Sequence, residues 1–144
     1  METTPLIVLD TNVLVSGLCR RENSASYQIL KHIQKGEIPL ALSYKLYLEY
    51  ESVLKRENIL TLIDATADQI QMILHALVAI AQHSEVFYLW RPNLTDENDN
   101  FVLETAITTG AVIVTKNIKD FKEGELIFPD LTILTPSQFS KLYL

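Results

Sequence analysis

The sequence of 144 residues predicts an α/β domain in which helices cover both faces of a parallel sheet. Short apolar segments rich in β-branched residues, such as Leu6–Leu9 and Ala111–Val114, are typical of strands that are buried on both faces. These segments alternate with stretches of helical periodicity, an order that requires right-handed crossovers between parallel strands. Because no linker, internal repeat or low-complexity tract divides the chain, one domain is predicted over residues 1–144.

The first half of the chain contains two predicted strands, each with a helix after it. The strand at Leu6–Leu9 precedes a helix at Ser24–Lys35, where apolar residues recur at helical spacing. A second strand is predicted at Ile38–Leu42, and Ser43 is a residue type that caps the start of helices. The helix after Ser43 is predicted to bury five apolar side chains: Leu46, Tyr47, Tyr50, Val53 and Leu54.

The second half begins with a capping box. In Thr66-Ala67-Asp68-Gln69 the threonine and glutamine side chains each satisfy a backbone donor of the other residue, which predicts a long helix to about His83. Residues 93–100 are predicted to form a loop that opens into a helix ending at Gly110, and Thr135-Pro136 begins the last helix. Three strands are predicted in this half: Val86–Leu89, Ala111–Val114 and Thr132–Leu134.

The composition limits the classes of partner and compartment. Eighteen Asp and Glu residues against twelve Lys and Arg residues give a formal net charge of -6, which argues against a simple basic nucleic-acid binder. Cys19 is the only cysteine, so an internal disulfide and a thiolate zinc cluster are excluded. No basic export signal and no membrane-spanning apolar run is present, and a cytoplasmic protein with no membrane association is therefore expected.

Acidic residues follow several of the predicted strands. Asp10 follows the first strand, Asp96 and Asp99 lie in the loop after the third, and Asp120 lies a few residues after the fourth. Since the carboxyl ends of parallel strands meet at one edge of the sheet, these carboxylates are expected to lie close together there. Glu49, about one and a half turns into the helix after Ser43, is expected to reach the same edge.

Each of these acids also has a purely structural interpretation. Asp10 is a good helix N-cap, and Asp96 and Asp99 suit the first turn of a helix because of the helix dipole. Glu49 and Glu51 point about 200° apart around the helix, so only one of them faces inward. We prefer Glu49, because the apolar stripe of the helix flanks it more closely.

Convergence of these carboxylates predicts a divalent metal. Without a cation, four or five neighbouring carboxylates would repel one another and raise some of their pKa values. Oxygen ligands without His or Cys favour Mg²⁺ or Mn²⁺, and such an ion lowers the pKa of a bound water and neutralises charge on a phosphodiester.

Four segments of the chain, in this order and spacing, resemble the PIN-domain family of metal-dependent nucleases, and within it the toxins of bacterial toxin–antitoxin pairs. The resemblance covers nearly the whole chain. The segments are Ile7–Leu14 (IVLDTNVL), Leu48–Arg56 (LEYESVLKR), Asp96–Ala106 (DENDNFVLETA) and Val114–Phe121 (VTKNIKDF).

The resemblance implies a three-layer α/β/α sandwich around a central parallel sheet, with an acidic site that binds Mg²⁺ or Mn²⁺ and cleaves RNA. By this resemblance Asp10, Glu49 and Asp99 match the core metal-binding acids, and Asp96 matches the preceding acid of the same loop. Thr11 or Asn12, together with Thr115, match the polar residues that orient the first aspartate and the attacking water. It also implies an antitoxin protein as partner and a homodimer as a possible assembly.

The sequence departs from the family pattern at Asn117, where many PIN domains have a fourth acid. An amide oxygen still contacts water or metal but contributes no charge, and Asp120 is a candidate replacement. The departure leaves open whether a second metal binds tightly. It also motivates an alternative function, a PIN-like module that binds RNA or a partner with weak or no turnover.

Two other enzyme classes fit less well. A haloacid-dehalogenase-type phosphatase requires a second acid two residues after the first, where this chain has Asn12, and the spacing of the acids does not fit a phosphate-accepting receiver domain.

Basic residues near the proposed site are Arg20, Arg21, Lys116, Lys119 and Lys122. Contact with RNA phosphates is one interpretation of these residues, although a solvated face is favoured for each group.

Overall fold

The computed structural model describes residues 4–84, 97–121, 128 and 130–144, and for residues 84 and 97–100 it describes the backbone alone. Helices and strands alternate along this part of the chain. The strands are β1 (Ile7–Leu9), β2 (Ala41–Ser43), β3 (Gln82–Ser84), β4 (Val112–Val114) and β5 (Ile133–Leu134). The helices are α1 (Thr11–Leu18), α2 (Ala25–Gln34), α3 (Tyr44–Leu54), α4 (Glu57–Ile63), α5 (Ala67–Ile80), α6 (Glu97–Thr109) and α7 (Pro136–Tyr143). A 3₁₀ turn lies at Ile118–Phe121.

All described strand pairings are parallel, as predicted. One ladder has the strand order β1-β4-β5, and the other pairs β2 with β3. A parallel bridge between Ile7 and Leu40 joins the two ladders, with the Ile7 amide donating to the Pro39 carbonyl at 3.0 Å. The resulting strand order, β3-β2-β1-β4-β5, places β1 at the centre of the sheet.

Helices cover this sheet on both faces, which confirms the predicted α/β/α sandwich. Helix α2 packs against α1 and α7, whereas α6 lies across β1, β2 and β4. All three residues of β1 are buried, as expected for a central strand covered on both faces. Within the described residues, no helix combines the length and the apolar character needed to span a membrane.

The structure corrects the predicted course of the chain after α5. The helix ends at Ile80 and not near His83, because Ala81 is extended and the Gln82 amide donates to the Leu40 carbonyl at 2.7 Å. Pairing with β2 therefore places Gln82 and His83, which the sequence pattern assigns to the helix, in a strand together with Ser84. The strand predicted at Val86–Leu89 lies outside the described residues.

Four further elements differ from the sequence predictions. Helices α1 and α4 were not predicted as elements, and β2 lies at Ala41–Ser43 rather than at Ile38–Leu42. Helix α6 starts at Glu97, so part of the predicted loop 93–100 is helical. Gly110, with a φ of 75°, ends α6 as predicted, because glycine adopts this left-handed conformation without steric cost.

A buried tyrosine fixes α3 against the end of β1. Tyr50 is 1% exposed, and its hydroxyl donates a hydrogen bond to the Leu9 carbonyl. Burial of the phenol, together with the negative charge of Asp10, raises the pKa of Tyr50 above the ordinary tyrosine value. The neutral phenol is therefore the form that the folded protein stabilises.

The capping box of α5 yields a prediction about stability. The Gln69 amide donates to Thr66 Oγ1 at 3.2 Å, and the Thr66 amide donates to Gln69 Oε1 at 3.0 Å. Thr66→Ala removes the cap and should lower the free energy of unfolding by about 1 kcal/mol, measured by urea denaturation. Thr61→Ala is the matched control, because this exposed hydroxyl only donates to a carbonyl within α4. Equal losses in the two variants would contradict a specific capping role.

Tyr50 yields a prediction about pH. Tyr50→Phe keeps the ring but removes the bond to Leu9, so it should lower the free energy of unfolding by about 1 kcal/mol at pH 8. Because the raised pKa disfavours ionisation in the folded protein, the stabilising contribution of the phenol is complete below the pKa of the unfolded chain. It is lost progressively above that pKa, which is about 10.

The stability of wild type relative to Tyr50→Phe should therefore fall by about 1.4 kcal/mol between pH 8 and pH 11, so that the difference of about 1 kcal/mol at pH 8 closes and slightly reverses, measured by urea denaturation at each pH. Tyr44→Phe, at a tyrosine that is 72% exposed, is the matched control. A gap that stays constant over this range would show that ionisation of Tyr50 does not oppose folding.

Candidate functional site

Asp10 lies where the central strand passes into the first helix. Its amide donates to the Val114 carbonyl at 2.9 Å, which continues the β1–β4 ladder by one residue. Its side chain caps α1, with Oδ1 accepting from the Thr11 amide at 2.8 Å. Asp10 as a whole residue is only 6% exposed. The structural interpretation of Asp10 as an N-cap is therefore correct, and it leaves the functional interpretation open.

Thr115 connects the ends of the two central strands. Its hydroxyl donates to Asp10 Oδ2 at 2.7 Å and accepts from the Asn117 amide at 3.0 Å. Thr115 is completely buried, directly after β4, so this contact is shielded from water. With each carboxylate oxygen of Asp10 held by a different donor, the orientation of the group is fixed by β4 and α1 together.

Asn12 and Lys116 form a second connection between the same two elements. The Lys116 amide donates to Asn12 Oδ1 at 3.2 Å, and Lys116 Nζ donates to Ser16 Oγ at 3.4 Å. Asn12 thus holds the loop after β4 against α1. The amide oxygen of Asn12 therefore has a structural role that does not require a ligand.

A cavity of about 650 Å³ opens beside Asp10 at the carboxyl end of the strands. Its lining contains three of the predicted acids: Asp10, Glu49 and Asp120. Uncharged lining residues from α1 and its C-terminus are Thr11, Asn12, Val15, Ser16 and Cys19. Three cations, Arg21, Arg56 and Lys116, and three apolar residues of α3 and α4, Val53, Ile59 and Leu62, complete the lining.

Helix α3 determines which of two neighbouring acids lines the cavity. Leu46 and Tyr50 are buried, and this face of the helix places half-buried Glu49 in the lining. Glu51 lies elsewhere, with Oε2 at 3.5 Å from Lys55 Nζ and at 3.4 Å from the Tyr47 hydroxyl. The position of Glu49 agrees with the preference for it over Glu51.

Of the other predicted acids, only Asp120 has a side chain that the structure describes. Asp99 lies in the first turn of α6, with only its backbone described, and Asp96 lies outside the described residues. Asp120 lies in the 3₁₀ turn and lines the cavity, whereas Asn117 is exposed and is not among the lining residues. The contribution of Asp96 and Asp99 stays a prediction.

Sequence reasoning missed the part of the site that α4 provides. Arg56, Ile59 and Leu62 line the cavity, but α4 was not predicted as an element, so nothing placed these residues near Asp10. The one local sign of a helix at this place was Glu57, an acid suited to the first turn of a helix.

The structure separates the basic residues predicted near the site. Arg21 and Lys116 line the cavity, Arg20 and Lys119 do not, and Lys122 lies outside the described residues.

The chemistry of the donor set fits a hard divalent cation. Asp10, Glu49 and Asp120 contribute carboxylate oxygens to one cavity, and no histidine is among its lining residues. Such oxygen donors suit Mg²⁺ or Mn²⁺ better than zinc. The described side chains alone do not form a group of three or more acids, histidines or cysteines within metal-binding reach. Asp99 is the predicted acid on α6, the helix that contacts β1 and β4.

Comparisons with known proteins place this geometry in a family. A family model described as a PIN domain matches residues 6–119. No curated protein gives a match.

Solved structures with a similar fold include three toxin–antitoxin complexes. VapBC2 from Rickettsia felis, bound to a DNA fragment from their promoter, has 22% identity and a TM-score of 0.60, covering 90% of this chain and 98% of that chain. VapBC-1 from nontypeable Haemophilus influenzae has 14% identity and a TM-score of 0.59, with coverages of 92% and 98%. FitAB bound to an IR36 DNA fragment has 16% identity and a TM-score of 0.58, with coverages of 90% and 94%. These structures share the fold, and the family match over most of the chain shows that the protein belongs to the PIN domain family.

Proposed function

We propose that this protein is a metal-dependent endoribonuclease that hydrolyses RNA phosphodiester bonds, and that it is the toxin of a toxin–antitoxin pair. The observation that carries the nuclease proposal is the buried carboxylate of Asp10. It is oriented by Thr11 and Thr115 and shares a cavity with Glu49 and Asp120. An acid placed only for solubility would have no need of burial or of a donor from another strand.

The proposed metal ligands are Asp10, Glu49, Asp96, Asp99 and Asp120, and the proposed ion is Mg²⁺ or Mn²⁺. When bound, such an ion lowers the pKa of a coordinated water and neutralises the charge that develops on a phosphodiester. Asp10, Glu49 and Asp99 are the proposed catalytic acids, with Asp96 and Asp120 as additional ligands.

Polar residues of the chain orient Asp10 and hold the loop after β4 against α1. The Thr115 hydroxyl and the Thr11 amide prevent the Asp10 carboxylate from rotating, so the ordering of this ligand is already complete in the folded protein. Asn12 holds the loop after β4, and Asn117 extends from that loop. We assign Thr11, Asn12, Thr115 and Asn117 to positioning of substrate or water.

The toxin assignment rests on solved structures that have a similar fold. The three structures named above are toxin–antitoxin complexes, and each of them matches at least 90% of the length of this chain. We therefore propose an antitoxin protein as partner, RNA as substrate, a homodimer as assembly and the cytoplasm as compartment.

The first test removes the charge of Asp10. Asp10→Asn should keep the fold, because Asn caps helices as well as Asp does. Cleavage should fall by more than the roughly 10–100-fold expected when an outer-shell partner of a metal is lost. The measurement is cleavage of total cellular RNA with end mapping, alongside circular dichroism.

Asp64→Asn is the matched control for this variant. Asp64 is exposed and has a φ of 54°, a left-handed conformation that Asn tolerates well, so the variant should cleave like wild type. Wild-type cleavage by Asp10→Asn in a preparation free of contaminating nuclease would refute the site.

The second test concerns the metal. Chelator should abolish cleavage, and Mg²⁺ or Mn²⁺ should restore it. Either ion should also stabilise wild type against unfolding, by about 2.7 kcal/mol at 100 times the Kd, and so raise its Tm, and should do so much less for Asp10→Asn. RNA binding without cleavage at any metal concentration would instead support the alternative, a PIN-like binding module with weak or no turnover.

A further inference from the structure

Two buried hydroxyl groups connect the helices that carry Glu49 and Asp99. Ser43 is the last residue of β2 and the N-cap of α3, and Thr105 lies in the second half of α6. Their side-chain oxygens are 2.9 Å apart, and both residues are buried. Neither residue lines the cavity beside Asp10. Any effect of this contact on the site is therefore transmitted through α3 and α6.

The two hydroxyls belong to an ordered chain of hydrogen bonds. Ser43 Oγ accepts from the Leu46 amide at 3.2 Å, and Thr105 Oγ1 lies 2.8 Å from the Phe101 carbonyl oxygen. A carbonyl oxygen only accepts and each hydroxyl has one hydrogen, so Thr105 donates to Phe101 and accepts from Ser43. Separating the two helices by about 1 Å would take the hydroxyls beyond hydrogen-bonding distance.

This hydroxyl pair lies level with Asp10 in the sheet. A parallel bridge joins Ile7 to Leu40. Three residues further along the two parallel strands, Asp10 stands about level with Ser43. The last turn of α6 leads into the amino end of β4, so the first turn of this helix lies towards the carboxyl ends of the strands. Asp99, which is in that first turn, is therefore on the cavity side of the hydroxyl pair.

Two proposed metal ligands lie at the same distance along their helices from this contact. Glu49 is six residues after Ser43 in α3. Asp99 is six residues before Thr105 in α6. Six residues of an α-helix span about 9 Å, so a change of about 5° at the contact displaces either acid by about 0.8 Å, whereas metal–ligand distances vary by only about 0.2 Å. The angle at the hydroxyl pair therefore decides whether both acids reach one ion.

Apolar packing restrains this angle less strictly than the hydroxyls do. Val102, Leu103 and Ala106 are buried residues of α6, which contacts the sheet, and Leu46 and Tyr50 are buried residues of α3. The hydrophobic effect has no direction, so these contacts favour burial without selecting one angle. Hydrogen bonds are directional, and the buried hydroxyl chain is satisfied in only one arrangement of the two helices.

On the basis of the nuclease function proposed above, we propose that Thr105 is a positioning residue of the metal site. Through its bond with Ser43 it sets the separation of Glu49 and Asp99, so that both carboxylates reach one ion together with Asp10. Thr105 is buried away from the cavity and acts through these acids. It therefore contributes to the affinity for the metal and not to the chemistry of cleavage.

The test titrates the RNA-free protein with Mn²⁺ and follows binding by isothermal titration calorimetry. Thr105→Val keeps the shape of the side chain but leaves the buried Ser43 hydroxyl without its acceptor. The Kd for Mn²⁺ should rise by about 10-fold, the lower end of the effect of losing an outer-shell partner of a metal. Thr105→Ser keeps the hydroxyl and should bind Mn²⁺ as wild type does. An unchanged Kd in Thr105→Val would overturn the proposal.

Two control variants separate positioning from general stability. Thr108→Val removes an exposed hydroxyl of α6 that donates to the Glu104 carbonyl at 2.8 Å, the same type of bond as that from Thr105 to its own helix. Thr66→Ala lowers stability at the start of α5. Both variants should bind Mn²⁺ like wild type. If either weakens Mn²⁺ binding as much as Thr105→Val does, the effect is one of stability and the proposal is wrong.

Ser43→Ala breaks the same link from the side of α3, and it keeps the proposal testable if Thr105→Val does not fold. Its Kd for Mn²⁺ should also rise, and an unchanged Kd would overturn the proposal. When all variants fold, the Kd of the double variant should match that of Ser43→Ala alone, because one link is lost in both. Additive effects of the two substitutions would contradict a shared link.

The metal dependence of cleavage provides a further readout. Thr105→Val retains every proposed ligand, so its maximal rate at saturating Mn²⁺ should approach that of wild type. The Mn²⁺ concentration at half-maximal rate should rise by about 10-fold. A lower maximal rate with an unchanged metal dependence would overturn the positioning role.

Failure of this inference is distinguishable from failure of the nuclease function. If wild type binds Mn²⁺ and cuts RNA while Thr105→Val has an unchanged Kd for Mn²⁺, the positioning role fails and the nuclease function stands. If Thr105→Val loses Mn²⁺ affinity but wild type does not cut RNA, the positioning role stands and the nuclease function fails. If wild type binds no Mn²⁺, both fail.

Discussion

The parallel pairing of β1 with β4 is the contact on which the site depends. It brings Asp10 and Thr115 side by side, although they are 105 residues apart in the sequence. An aspartate that is only 6% exposed is costly to bury unless its carboxylate oxygens accept hydrogen bonds, and the donors come from β4 and α1. The group that is proposed to bind metal is thus also the group that joins the central strands to the first helix. Stability and function cannot be optimised independently at this position.

A second constraint determines where α3 lies. The Tyr50 hydroxyl contacts the Leu9 carbonyl, one residue before Asp10, so the helix is held at the point where β1 ends. Glu49 is the neighbour of Tyr50 in the chain and lines the same cavity as Asp10. The geometry of the two acids is therefore set by a buried phenol that does not itself line the cavity. Such a contact links two elements that are about 40 residues apart, and it transmits any shift of α3 directly to the acidic pair.

The elements that could be predicted from sequence are those with strong local signals. Thr66 and Gln69 satisfy each other's backbone donors, and Gly110 adopts a conformation that glycine tolerates best, so these helix ends depend on nearby residues alone. The end of α5 depends instead on pairing with β2, since Gln82 leaves the helix to bond Leu40. No local pattern contains that information. Asp10 and Glu49 were predictable as neighbours because strand ends in a parallel sheet share an edge, whereas Arg56 depends on a corner between α3 and α4 that the sequence pattern did not reveal.

The net charge of -6 does not determine which ligands approach the site, because salt screens the interaction between charges that lie far apart. Over a distance of about one Debye length, the field at the cavity is set by the residues that line it, namely three carboxylates and three cations. Among the described lining residues these charges cancel, and one bound divalent ion would add two positive charges. With the proposed ligands Asp96 and Asp99 included, the site would be close to neutral, whereas the chain as a whole has a net charge of -6. A phosphate would therefore meet less repulsion at this cavity, with the proposed metal bound, than the net charge of the chain suggests, so the proposed RNA substrate is compatible with an acidic protein.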